Sequence, residues 1–510
     1  MSKFPFPATS PGASGLQLEE SLLFERAPHG RSGASLPKAG VPLSEPKDEI
    51  PAALLRGEIE GMPALSEPEV VRHFVRMSQW NYGIDSGPFP LGSCSMKYNP
   101  KSSEALARLP GFAAVHPMLP AAFAQGALRL GFELERALSE ISGFTACTLQ
   151  PAAGAQGELC GLLMIRAYHQ KQGNLRRKVL IPDSAHGTNA ASCTLAGYEV
   201  VPIESGRDGV IAPSTVAEAL AAHGDGVAAL MMTNPNTLGI FERHVKEIGD
   251  LVHAKGALLY CDGANLSALL GMARPGDMGY DVMQFNLHKT FATPHGGGGP
   301  GCGPVGVSEK LAAFLPTPVI AKHDGSFALD FDRPDSIGRL RTFWGNFGMW
   351  VRAYALIREW GPEGVKRAGQ LAVLNANYLR KLLEPHYHLP FNAETLHEVV
   401  FSDKLQRAHG VTALDVAKRL IDHGFHPPTI YFPLVVQGAL MLEPTETESP
   451  EAIEALAAAL IAVAAEAKID PEALKQAPTR TQVRRLDEVR AARKPILRWW
   501  PAADEAGRGK

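Results

Sequence analysis

The sequence predicts an α/β protein built on a mostly parallel sheet, and three observations carry that prediction. Between residues 145 and 290, short apolar runs alternate with amphipathic helical segments, the β-α-β succession of a parallel sheet. The chemically distinctive side chains Gln156, His186, Thr233, Asp262 and Lys289 each fall where such a run ends or the next helix opens. Ligands of open parallel sheets bind at those carboxyl ends. The length, 510 residues, allows a large core and more than one domain.

Composition narrows the function classes. The formal net charge is -3, so no polyelectrolyte partner is implied and nucleic acid is not expected. The most apolar helical stretch, residues 455–465, is alanine-rich, flanked by Glu454 and Glu466, and too short to span a bilayer. No N-terminal signal is legible, and no membrane association is expected. Six cysteines are scattered without a CxxC pair, which fits a reducing cytosol and argues against a structural zinc site or a disulfide scaffold.

Taken in order, residues 1–66 are rich in Pro, Gly and Ser and read as an extended arm. Leu22, Leu23 and Phe24 suggest that the arm lies on another surface, such as a partner subunit. From Pro68 the spacing of Val70, Val71, Phe74, Val75 and Met77 is helical. Residues 83–100 carry turn residues throughout and no period, and read as a loop. Residues 128–141 form an amphipathic helix. A strand at 146–150 leads through PAAGAQGE into a helix, and such a turn can bind an anion through free N–H groups and the helix dipole.

Strands are expected at 178–181, 199–203 and 227–232. His186 sits between the first of these and its helix, where an imidazole could cap that helix or stack on a planar cofactor. Thr215 and Glu218 read as a capping box. A strand then ends in Asp262, which can either cap the following helix or hold a proton on a ring nitrogen. The next strand, 282–285, runs into Asn286, Leu287, His288 and Lys289, followed by a glycine tract that contains no Gly-Lys-Ser/Thr. An amine so placed suits a nucleophile forming a Schiff base with pyridoxal phosphate (PLP). A long helical region, 349–383, breaks at Gly361 and Pro362, and the remaining strands, 397–401 and 434–441, alternate with helices opened by Ser449-Pro450 and Asp470-Pro471. The expected partition is an arm at 1–66, a large domain at 67–345, a helical connector at 346–384, a small domain at 385–478 and a tail at 479–510.

Several long motifs then carry a resemblance over nearly the whole chain: PLGSCSMKYNP (90–100), LQPAAGAQGEL (149–159), PDSAHGTN (182–189), TNPNTLGIFE (233–242), DGAN (262–265), NLHKTFATPHGGGGPG (286–301) and LEPTETES (442–449). The sequence resembles the glycine decarboxylase (P-protein) family of the glycine cleavage system, and within it the second subunit of the bacterial two-subunit form. The resemblance implies a PLP-dependent fold of type I, aspartate aminotransferase-like, with a seven-stranded large-domain sheet and a smaller C-terminal α/β domain.

The resemblance further implies that Lys289 carries PLP, that Asp262 protonates the pyridine, and that glycine is decarboxylated with transfer of the aminomethyl group to the lipoyl arm of the H-protein. His186 or His288 would assist a proton shuttle by Lys289. By analogy, Asn265 would reach the phenolic oxygen, while Ala155, Gln156 and His288 would reach the phosphate, with Thr233 close by. The glycine tract would line an interface or the lipoyl channel. A homologous first subunit is implied, most simply with two copies of each chain. Two departures stand out, Gln156 where the family usually has His and Ala190 where Pro is common. A cysteine desulfurase or aminotransferase of the same fold, or a non-catalytic paralogue, are the competing readings. The first lacks support because no mobile cysteine follows the lysine, and the second because Lys289 and Asp262 are both present.

Overall fold

The computed structural model describes residues 20–26, 33, 35, 37–57, 62–295, 301–481, 483–497 and 499. The described residues of 84–475 form one compact unit, and those of 1–83 with those of 476–510 form a second.

The larger unit is organised on a seven-stranded sheet of β1 (Ala146–Thr148), β2 (Lys178–Pro182), β3 (Glu199–Ile203), β4 (Val227–Thr233), β5 (Leu258–Asp262), β6 (Val282–Gln284) and β7 (Val305–Val307), in the spatial order β1-β7-β6-β5-β4-β2-β3. Only β7 runs against its neighbours. The architecture is the mostly parallel α/β sheet that the alternating pattern predicted.

Alternation along these strands divides their side chains between two cores. Leu180, Leu230, Met232, Leu259, Cys261 and Met283 pack on one face with Leu134 and Leu138 of the helix Gln125–Ser142. Val179, Ile181, Met231, Leu258, Tyr260 and Val282 pack on the other with Leu162 and Ile165 of the helix Gly154–Lys171. Both faces are covered, which is why the strands read as nearly continuous apolar runs.

Two further sheets follow: a hairpin of β8 (Val319–His323) and β9 (Ser326–Asp330), and a three-stranded antiparallel sheet of β10 (Val399–Ser402), β11 (Thr429–Ile430) and β12 (Ala439–Leu442). The long helix Phe347–Leu383 bends at Gly361, whose φ of 60° interrupts it immediately before Pro362. Its C-terminal part, with Leu379 and Leu383, packs with Phe401, Leu440, Leu456 and Leu460 into the smaller α/β core.

Some local expectations are corrected. The helix expected to begin at a Thr215–Glu218 capping box starts earlier, at Pro213, with Ala212 as N-cap and no side-chain cap, because proline is already preset for the first helical position. The strand expected over 434–441 is confined to β12, since Pro433 and Gly438 flank a turn. Ser449 caps its helix through Ala452 N as read.

In the second unit, the helix Glu67–Ser78 is opened by Ser66 and Glu69 as a capping box. Glu20 is held by Arg26, His73 and Arg76, and burial notwithstanding, these partners lower its pKa. Phe24 stacks on Trp499 at 5.2 Å, while Val71, Phe74 and Val75 stay exposed. The parts of the expected arm at 1–19 and 58–61, and most of the expected tail beyond 497, lie outside the described residues. Among the described residues no helix is long and apolar enough to cross a membrane.

Candidate active site

Register brings the first group of residues together. Thr233 of β4 pairs with Asp262 of β5, and Asp262 with Gln284 of β6, so these three side chains stand in one row at the carboxyl edge of the sheet. Asp262 is 1% exposed. One carboxylate oxygen accepts from Asn189 Nδ2 at 2.8 Å, and the other from Ala264 N at 3.0 Å and from Gln284 Nε2. Asp262 therefore caps the short helix Gly263–Ala268 and also anchors a buried polar network, so its two sequence readings are compatible.

The helix Gly154–Lys171 opens beside that row because its glycines permit it. A Cβ on Gly154 would come within 2.1 Å of Asn286 Oδ1, and one on Gly161 within 2.5 Å of the Tyr260 ring. The first-turn amides of Gly154, Ala155 and Gln156 have no helical acceptor, as at any helix start. Gln156 turns back, its Oε1 accepting from Ala152 N at 2.7 Å, so this side chain fixes the loop that precedes the helix.

Lys289 stands in the one-turn helix Leu287–Thr290, not on the strand itself, which ends at Gln284. It is buried, and its Nζ donates to Ser93 O at 2.7 Å. His288 Nδ1 accepts from Cys302 N at 3.2 Å. Burial, then Lys289 and His295, press the pKa of His288 down to about 3. It is thus a neutral imidazole with its donor on Nε2. His186, the N-cap of the helix Gly187–Leu195, has its pKa lowered by burial and by Lys289. Its backbone N–H donates to Thr233 Oγ1 at 3.0 Å. Carboxylate oxygens of Glu158 and Asp262 and a ring nitrogen of His186 all lie within 4.8 Å of one another.

Asn265 spends its amide N–H groups on Pro235 O at 2.9 Å and Glu398 Oε1 at 3.3 Å. Its Oδ1 is buried without a hydrogen-bond partner, as is Gln284 Oε1. The structure thus brings Lys289, Asp262, His186, Thr233, Asn265 and His288 to one end of the sheet around orphaned acceptors. The glycine tract at 296–300, expected to line an interface or channel, lies outside the described residues.

Comparisons with known proteins place the chain in a family. A family model described as glycine dehydrogenase, C-terminal domain, matches residues 368–483, and one for aminotransferase class-V matches residues 162–301. The probable glycine dehydrogenase (decarboxylating) subunit 2 of Caldanaerobacter subterraneus subsp. tengcongensis is 53% identical over 480 residues, covering 94% of this chain and 98% of that protein. Its counterpart from Halalkalibacterium halodurans is 53% identical over 483 residues, with the same coverage. This chain belongs to the glycine dehydrogenase (decarboxylating) subunit 2 family.

Solved structures agree on the fold. A glycine decarboxylase (P-protein) of the glycine cleavage system, in inhibitor-bound form, superposes with TM-score 0.69 at 21% identity, covering 82% of this chain and 94% of that one. Oryza sativa TDC with PLP and tryptamine gives TM-score 0.63 at 16% identity, with 84% and 93% covered. The subunit 2 chain therefore has the fold of PLP-dependent enzymes of type I.

One part of the candidate site lies in the stretch whose turn residues predict only a loop. Residues 84–100 run between β12, where Leu91 bridges Leu442 and Gly92 N donates to Met441 O, and the residues that follow β5 and β6. Ser93 and Ser95 both adopt left-handed backbone, φ 57° and 42°, a conformation that side chains disfavour unless the surroundings enforce it. Two buried glutamates enforce it. Glu398 accepts from Ser93 N at 2.7 Å, and Glu443 accepts from Ser95 N at 3.1 Å and from Ser95 Oγ. Lys97 Nζ pairs with Glu446 at 2.8 Å and also donates to Ser267 Oγ and Thr290 O.

Burial raises the pKa of both Glu398 and Glu443, and most strongly that of Glu398, while Lys289 and the Ser95 hydrogen bonds oppose the rise at Glu443. His397, 1% exposed, has neither ring nitrogen hydrogen-bonded. The only signal in the sequence was that PLGSCSMK and LEPTETES both lay among the resembling motifs.

Proposed function

We propose that this chain holds PLP on Lys289 and decarboxylates glycine, passing the aminomethyl group to the lipoyl arm of the H-protein together with a homologous first subunit. The observation that carries the reading is the placement of the buried Lys289 amine and the networked Asp262 carboxylate at one sheet end, beside an open helix N-terminus. The residues fit PLP: an amine for the aldehyde, a carboxylate for the ring nitrogen, first-turn amides of Gly154, Ala155 and Gln156 for the phosphate, and the His186 imidazole for a ring face. When bound, PLP supplies the electron sink that accepts the pair left by a departing carboxylate.

The chain's own residues do the rest. Asp262, held from both sides by Asn189 and Gln284, would present its carboxylate to the ring nitrogen without side-chain rearrangement. Ser93 O gives Lys289 Nζ a fixed acceptor when it is free of cofactor. His288, its Nδ1 occupied by Cys302 N, offers a hydrogen-bond donor and is a poor base. Asn265 presents an acceptor, since the donors a phenolic oxygen would use are engaged by Pro235 and Glu398.

The partner reading rests on the subunit 2 relatives and on the exposed Val71, Phe74 and Val75. Two copies of each chain make the simplest assembly. A cytoplasmic setting is supported by six cysteines that are all unpaired. The test is glycine–bicarbonate carbon exchange, run with and without the first subunit and lipoylated H-protein, beside size-exclusion chromatography with light scattering. Weak exchange alone and restored exchange in a mixed complex are expected. Full activity from a homodimer would remove the partner, and no exchange in any mixture would remove the reaction.

A further inference from the structure

A side chain that the proposed reaction does not use lies behind His186. Glu158, on the helix Gly154–Lys171, is 3% exposed and receives two hydroxyl hydrogen bonds. Thr188 Oγ1 donates to its Oε1 at 2.6 Å, and Ser192 Oγ to its Oε2 at 2.7 Å. Thr188 Oγ1 in turn lies 2.7 Å from His186 Nδ1. The three groups form a continuous hydrogen-bonded wire with one hydroxyl in the middle. A hydroxyl has one proton to donate. While it donates to Glu158 it can only accept from His186, so Nδ1 carries the ring proton and Nε2 is a free base. If Glu158 is protonated the wire runs the other way: Glu158 donates to Thr188, Thr188 donates to Nδ1, and the ring proton sits on Nε2. The 3.3 Å contact from Thr188 N to Nδ1 belongs to this second arrangement.

We infer that Glu158 and Thr188 are positioning residues that set the tautomer of His186, so that a proton taken up at His186 Nε2 is passed through Thr188 and stored on Glu158. The balance is closed. One proton arrives at Nε2, the Nδ1 proton moves to Thr188 Oγ1, the Thr188 proton moves to Glu158 Oε1, and His186 stays neutral throughout. Neutrality matters at this position, because burial and Lys289 both disfavour the imidazolium.

The groups facing Glu158 suit a proton store. Burial, and then Asp262 approaching from β5, push the Glu158 pKa up to about 7, against the hydrogen bonds of Thr188, Ser192 and Asn189. Cys193 and Tyr260 also face it, their own pKa values raised by burial, so both are neutral near that pH. On the far side, Lys289 and Asp262 face His186. The inference deepens the proposed function in that it assigns His186 a proton to move. The wire itself is a property of the chain.

The test uses the full-length chain with 15N-labelled histidine and reads the two His186 ring nitrogens by NMR, the signal being assigned by its loss in His186→Gln. Across roughly pH 5.5 to 8.5, spanning the ordinary histidine range, the wild type should exchange protonated and unprotonated nitrogens with a midpoint near that of Glu158. Thr188→Val should abolish the exchange, Thr188→Ser should restore it, and Glu158→Gln should hold one tautomer throughout. A wild-type tautomer that never changes, or an exchange that survives Thr188→Val, would overturn the inference. Neither outcome depends on PLP or on glycine turnover. If Glu158→Gln does not fold, the two Thr188 variants decide alone.

Discussion

Lys289 Nζ donates a 2.7 Å hydrogen bond to the carbonyl of Ser93, 196 residues earlier in the chain. Ser93 is itself fixed by Glu398, so the amine that would carry the cofactor is aimed by a loop and by the smaller α/β core, not only by its own strand. Borohydride reduction with PLP, followed by peptide mapping, should label Lys289. Lys289→Ala should keep its fold, lose the label and lose exchange. Labelling at Lys97 or any other lysine instead would sink the assignment.

Asp262→Asn keeps the side-chain shape but removes the carboxylate that would face the ring nitrogen of bound PLP, and it turns one acceptor of the Asn189, Ala264 and Gln284 network into a donor. Preorganised charge of this kind is worth about 3 kcal/mol in the transition state, so exchange should fall at least about a hundredfold. A near-wild-type rate would leave Asp262 as a helix cap.

Lys97 and Glu446 are paired at 2.8 Å with side chains only 1% and 6% exposed. Removing one partner strands a buried charge, and Lys97→Met should cost about 3–5 kcal/mol in chemical denaturation. The same measurement on Lys101→Ala, which breaks an exposed pair with Asp85, should show no change in midpoint. Equal effects would mean that the Lys97 pair is open to water.

Glu242 is 1% exposed, accepts from Ile211 N at 2.9 Å and Asn236 Nδ2 at 2.7 Å, and has its pKa pushed up to about 7 by burial. The folded chain then binds this proton more tightly than the unfolded chain does. Its stabilising contribution is full below the usual glutamate value of about 4.3 and is lost as pH rises through about 7. Denaturation at pH values on either side of that window should show lower stability at the higher pH, and Glu242→Gln should reduce the difference. An unchanged pH slope in the variant would show that Glu242 does not titrate there.

How much of this was legible follows from range. The sequence by itself determined the parallel sheet, because burial on both faces leaves continuous apolar runs separated by helical periods. It also placed Asp262 and Lys289, since each lies within a few residues of a strand end that local pattern marks. Tertiary structure alone decided what those side chains meet. Thr233, Asp262 and Gln284 share a row only through strand register, which no local pattern encodes. The link from Ser93 to Glu398 spans 305 residues, and that from Ser95 to Glu443 spans 348. Hydrogen bonds across such distances leave no periodic trace. Residues 84–100 therefore look like a loop in sequence and seat the Lys289 side chain in the fold. The backbone at Ser93 and Ser95 is held left-handed by two buried glutamates that only chain folding brings near.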